Sequence, residues 1–145
     1  MQSLAAAINA IVSGVNYRLV PEHKFPTAVE DSYAAFLWVA NNIKSYNGNP
    51  AKIAVIGDSA GGNLAAETAI LARDKGGPRI TYQVLIYPTT DLGLTSNCLN
   101  ELSEGYILSR RYAECCILVV EYEELNLQPG LDTHSNTLLQ LDCCS

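Results

Sequence analysis

The stretch at residues 52–63, KIAVIGDSAGGN, constrains this chain more than any other. Ile53-Ala54-Val55-Ile56 is an unbroken apolar run, and Gly57-Asp58-Ser59-Ala60-Gly61 follows as G-x-S-x-G. A helical pattern over residues 63–73 comes next. Strand, tight turn and helix in that order form the context in which G-x-S-x-G reads as a nucleophile elbow. Gly57 and Gly61 leave no Cβ beside a sharply bent backbone, so Ser59 is expected in an uncommon φ/ψ region with its hydroxyl exposed. The helix that follows offers unpaired N–H groups and a positive dipole end to a developing negative charge. The N–H of Ala60 is the candidate oxyanion donor.

The flanking sequence supplies the rest of an α/β pattern. Residues 1–10 are alanine-rich, with Leu4, Ala7 and Ile8 at helical spacing, and residues 11–19 mix Val, Ile and Tyr as a strand does. Two prolines, Pro21 and Pro26, bound a loop. Residues 27–43 form the clearest helix: Thr27 and Glu30 fit a capping box, and Val29, Tyr33, Phe36, Leu37, Ala40 and Ile43 share one face. The run 53–56 has no polar alternation, as expected of a parallel strand covered on both faces. Residues 82–87 make a third strand, ended by Pro88. Alternating strands and helices argue a parallel sheet, with residues 53–56 and 82–87 adjacent and the helix between them crossing over. Residues 112–125 fit strand or helix equally, and residues 128–145 carry turn signals with little apolar pattern.

Composition excludes several classes. The 145 residues suit one domain, with 48% hydrophobic and 17% charged residues. A formal charge of −6 argues against nucleic acid and anionic membrane surfaces as partners. No apolar run approaches the roughly 20 residues that span a bilayer. No Lys or Arg precedes the apolar N-terminal stretch, which makes it a poor secretory signal. Five cysteines, Cys98, Cys115, Cys116, Cys143 and Cys144, lack the C-x-x-C spacing of a zinc site. Their odd number points to free thiols in a reducing, cytoplasmic compartment. No metal or cofactor is expected.

Three stretches carry a family resemblance. Residues 16–26, NYRLVPEHKFP, resemble the Y-R-L-A-P-E-H-x-F-P signature of the hormone-sensitive-lipase-like esterases, a group that takes in bacterial family IV esterases and plant carboxylesterases. Residues 57–63, GDSAGGN, resemble that family's elbow, and Tyr87-Pro88 with Asp91 resembles the segment after its next strand. Glu104-Gly105-Tyr106 is a fainter echo. The resemblance implies a segment of a three-layer α/β-hydrolase fold with a mainly parallel sheet. It spans residues 1–111 as a partial catalytic domain, with 112–145 as a divergent tail. It implies a carboxylic-ester hydrolase in which Ser59 is the nucleophile and Ala60 N–H one oxyanion donor, without cofactor, acting on small acyl esters. His23 belongs to the loop signature and takes no catalytic role. Asp58 is expected to shape the turn by local hydrogen bonding.

Departures from the family pattern shape the remaining expectations. The family's His-Gly-Gly-Gly motif is absent and would lie upstream of Met1, and the strand that goes with it is missing, which leaves a gap in the sheet and open edges. His134 is the one histidine after Ser59, hence the candidate base, but Leu131-Asp132-Thr133-His134 does not match the family's acid and base segments. A serine hydroxyl without a base is a weak nucleophile. The chain alone is therefore expected to turn over p-nitrophenyl acetate no faster than its Ser59→Ala variant, and to self-associate through its open edges. The alternative is a truncated, non-catalytic remnant of the fold, acting as a binding module or as an inactive gene product.

Overall fold

The computed structural model describes residues 2–90 and residue 101. They divide between two compact units, one with described residues 2–19 and 26–88, the other with 20–25, 89, 90 and 101. In the second, described residues 20–25 form a turn with a cis Val20–Pro21 bond. The first holds α1 (Gln2–Ile8), α2 (Thr27–Asn42), a 3₁₀ turn (Ile43–Tyr46), β1 (Ile53–Asp58), α3 (Ala60–Asp74) and β2 (Ile80–Ile86).

β1 and β2 are adjacent and parallel, with α3 as the crossover, as the strand–helix–strand pattern requires. Their register pairs Ala54 with Tyr82, Ile56 with Val84 and Asp58 with Ile86 on one face, and Gly57 with Leu85 on the other. α3 lies over the Gly57 face. Its contact side is built from small residues, and Gly62, Ala65, Ala66 and Ala72 are all buried. Small side chains let the helix approach the sheet and α2 closely. Phe36 of α2, Ile53 of β1 and Ala72 of α3 form the core, flanked by Tyr33, Leu37, Ala40 and Ile80. Four of the six positions that share a face in the 27–43 pattern thus reach this cluster.

Two helix ends close in the same way. After α3, Gly76 takes φ 61°, its N–H donates to Arg73 O at 3.1 Å, and Gly77 N–H donates to Ala72 O at 2.7 Å. After the 3₁₀ turn, Asn47 takes φ 61°, its N–H donates to Lys44 O, and Gly48 N–H donates to Ile43 O at 2.9 Å. Both use the paired 5→2 and 6→1 bonds that satisfy the last helical carbonyls, with the left-handed position given to Gly in one and Asn in the other.

Several expectations are corrected. Residues 11–19 form no strand. A strand exists by pairing, and among the described residues the sheet holds only β1 and β2. The segment is tied down by a side chain instead. Arg18 donates from its backbone N–H and Nε to Asp31 Oδ2 at 3.0 and 2.9 Å, and from Nη2 to Oδ1 at 2.7 Å. The capping box at Thr27 does not form, because Thr27 is already helical and Pro26 occupies the cap without a side-chain acceptor. Glu30 N–H closes the first turn onto Pro26 O at 3.0 Å. α3 begins three residues earlier than its apolar pattern, since the elbow itself starts the helix. The last strand runs Ile80–Ile86 and not 82–87, because Tyr87 leaves the ladder at φ 37°. The described residues cover only one face of β1, where two covered faces are expected. Among the described residues the face carrying Ile56, Tyr82, Val84 and Ile86 is bare, with Ile56 48% and Tyr82 71% exposed. The readings at Cys98, Cys115, Cys116, Cys143, Cys144, Asp91, Glu104-Gly105-Tyr106 and residues 112–145 lie outside the described residues.

Candidate active site

Ser59 joins β1 to α3 at the C-terminal end of the strand, with φ 51° and ψ −120°. This is a left-handed conformation that L-residues adopt at a cost of about 1–3 kcal/mol unless their surroundings fix it. Three backbone bonds do so. Ser59 N–H donates to Ile86 O across the strand pair at 2.9 Å, and Ser59 O accepts from Gly62 N–H at 3.0 Å and Asn63 N–H at 3.2 Å. The residue therefore caps α3 through its carbonyl, and its side chain makes no cap bond. It is exposed. A hydroxyl that serves neither cap nor core is available for chemistry.

The glycines divide the steric work differently from the motif's spelling. A Cβ on Gly57 collides with the carbonyl group of Gly61 and comes within 2.7 Å of Gly62 N, so β1 must be bare where the helix turns over it. A Cβ on Gly62 meets Pro88 Cβ at 3.0 Å and Gly57 O at 3.2 Å. A Cβ on Gly61 meets only Asp58 Oδ1, at 3.9 Å. Gly61 is thus not required for space, contrary to the sequence expectation, whereas Gly57 is, and at Gly62 a side chain would press tightly on Pro88. Asp58 also differs: its carboxylate is exposed, and no side-chain hydrogen bond from it to a described residue shapes the turn. The nearby helix N–H groups of Gly62 and Asn63 are already taken by the Ser59 carbonyl.

Ala60 is the first residue of α3, so its N–H has no acceptor within the helix. No acidic side chain occupies the first turn of α3, and the positive end of its dipole is uncompensated from within the helix. An oxygen developing negative charge beside Ser59 meets that end. Of the other site residues, His134 lies outside the described residues, and His23 belongs to the turn 20–25 of the other unit. No three His, Cys, Asp or Glu side chains among the described residues group as metal ligands. No described helix is long and apolar enough to cross a membrane. Tyr87, which the sequence marks only as the end of a strand, takes φ 37° one residue past the Ile86 carbonyl that holds Ser59. Its one signal was the Tyr-Pro pair closing the strand.

Comparison with known proteins fits this geometry. A family model described as the alpha/beta hydrolase fold matches residues 1–135. The chain belongs to the alpha/beta hydrolase family. Within it, the chain is similar to the hormone-sensitive-lipase-like esterases that its signatures resemble. Carboxylesterase NlhH of Mycobacterium tuberculosis is 42% identical over 135 residues, 93% of this chain and 40% of the relative. An arylesterase of Saccharolobus solfataricus is 43% identical over 105 residues, covering 72% of this chain and 34% of the relative. Among solved structures, the hyperthermophilic esterase of the archaeon Pyrobaculum calidifontis superposes with a TM-score of 0.74 at 48% identity, over 79% of this chain and 37% of that one. The chain thus spans about two fifths of the length of the curated carboxylesterase it matches.

Proposed function

We propose that this alpha/beta hydrolase segment carries the nucleophile of a carboxylic-ester hydrolase. Ser59 Oγ attacks the carbonyl carbon of a small acyl ester as a base takes its proton. The tetrahedral oxyanion is met by Ala60 N–H and the α3 dipole, and collapse expels the alcohol to leave an acyl-enzyme on Ser59. Water then attacks the acyl carbon and releases the acid, restoring the serine. The supporting observation is the left-handed Ser59 held between the Ile86 carbonyl and the start of α3. The names borne by the relatives, carboxylesterase and arylesterase, support the reaction class. A binding module has no comparable observation in its favour.

The test is a chimera. Residues 2–90 replace the matching stretch of the Pyrobaculum calidifontis esterase, which supplies the remaining fold. The expected outcome is p-nitrophenyl acetate turnover that falls by at least about 10³-fold in the Ser59→Ala chimera, since losing a nucleophile costs up to about 10⁶-fold. Equal turnover in two chimeras with matching thermal melts would refute the reading. His134 is the proposed base within this chain, and His134→Ala is the variant that tests it in any active form.

Two coarser proposals go with it. The thiols are free in a reducing cytoplasmic compartment, which predicts that all five cysteines alkylate without reductant. The face and edges of the sheet that the described residues leave open drive self-association, and size-exclusion chromatography of a strictly monomeric species at high concentration would contradict that.

A further inference from the structure

We propose that Tyr87 is a positioning residue for the elbow: its left-handed backbone folds the exit of β2 into a clamp on Ser59. The catalytic consequence rests on Ser59 being the nucleophile, but the clamp itself is a matter of backbone geometry.

The clamp has two jaws, one on each side of residue 87. Before it, Ile86 O accepts the Ser59 N–H at 2.9 Å. After it, Pro88 packs on α3 where Gly62 lacks a side chain, since a Cβ there meets Pro88 Cβ at 3.0 Å and Cα at 3.2 Å. A chain leaving β2 in extended geometry cannot give its Ile86 carbonyl to the elbow and also turn Pro88 back onto the first turn of the helix. Residue 87 makes that reversal at φ 37°. The register Asp58 with Ile86 puts Tyr87 next along the strand end from Ser59, which is itself at φ 51°. Two adjacent strand ends thus carry one left-handed non-glycine residue each, joined by a single hydrogen bond.

Packing does not account for Tyr87. Its side chain is 72% exposed and fills no core space. The proline that follows restricts it further, because the ring narrows the conformations open to the preceding residue. Strained residues of this kind persist where the structure around them over-determines them, and here both ends of the reversal bear on the elbow.

The test reads backbone amide hydrogen exchange on the chain as it stands, with no ester present, so its failure is separate from failure of the hydrolase reading. Tyr87→Val places a β-branched residue where φ is positive, the least tolerated choice, whereas Tyr87→Gly accepts that φ freely. The expected result is that the Ser59 amide exchanges at least about tenfold faster in Tyr87→Val than in the parent. It should stay within about twofold of the parent in Tyr87→Gly, with the Phe36 amide unchanged in both. A merely structural surface role moves all these amides together or none. Unchanged Ser59 exchange in Tyr87→Val, or equal acceleration in Tyr87→Gly, overturns the proposal. If Tyr87→Val does not fold, Tyr87→Gly decides alone: protection at Ser59 together with a raised melting temperature supports the clamp, and lost protection overturns it.

Discussion

At Gly57 the chain has no room for even one methyl group, because the backbone of Gly61 and Gly62 occupies the place a Cβ would take. Four residues on, Gly61 sits in the first turn of a helix with open space beside it. The two glycines of one motif therefore respond to alanine with opposite sign. Gly57→Ala forces backbone to shift and destabilises by about 1–3 kcal/mol, the usual range for overpacking. Gly61→Ala is neutral or stabilising by up to about 1 kcal/mol, the difference in helix propensity between the two residues. Thermal melts of the two variants check this, and a Gly61→Ala melt that drops as far as that of Gly57→Ala contradicts it. The turn at Ser59 is legible in the residues alone, because the apolar run, the glycine and the helical pattern around it all demand a turn at one position. Tyr87 is not. The Tyr-Pro pair marks the end of the strand but not a left-handed tyrosine, and the contacts that impose that conformation come from Ser59 and Gly62, more than twenty positions away.

At the scale of elements, the central unit β1–α3–β2 was readable because its pattern is local: an apolar run, a helix of alanines, a second apolar run. What failed needed partners that sequence does not display. Residues 11–19 have the composition of a strand, but their fixed point is the Arg18–Asp31 pair, a side-chain link across thirteen positions. The capping box failed because Pro26, already suited to a helix start, took the cap position from Thr27. Within α3, Glu67 is half-buried, and this burial raises its carboxyl above the ordinary value of 4.5. The folded chain thus holds this proton more tightly than the unfolded chain does. Its contribution is fully present below pH 4.5, and stability falls as pH rises from there through the raised folded value, then levels. Glu67→Gln keeps a neutral group at the site and removes that decline. Melting temperatures between about pH 4 and about pH 7 should converge at the acid end and separate towards neutrality, with the variant higher. Parallel profiles for the two proteins contradict the assignment.

Over the whole molecule, the described residues cover one face of a parallel strand pair and leave the other bare. Parallel sheets are ordinarily covered on both faces. Ile56, Val84 and Ile86 line that bare face with Tyr82, and their apolar character agrees with the expectation, from the unbroken apolar run, of a doubly buried strand. The same side of the sheet ends in Asp58, just before the serine. Ser59 and Tyr87, both left-handed, thus follow directly on the C-terminal ends of β1 and β2. Acyl transfer to Ser59 is the step on which the proposed function rests. It is tested most directly by mass spectrometry of the esterase chimera, quenched in acid within its first turnovers of p-nitrophenyl acetate. The expected result is one acetyl increment on the tryptic peptide 53–73 that carries Ser59, absent from the Ser59→Ala chimera. An active chimera whose acetyl group appears on another residue, or on that peptide after Ser59→Ala as well, contradicts it.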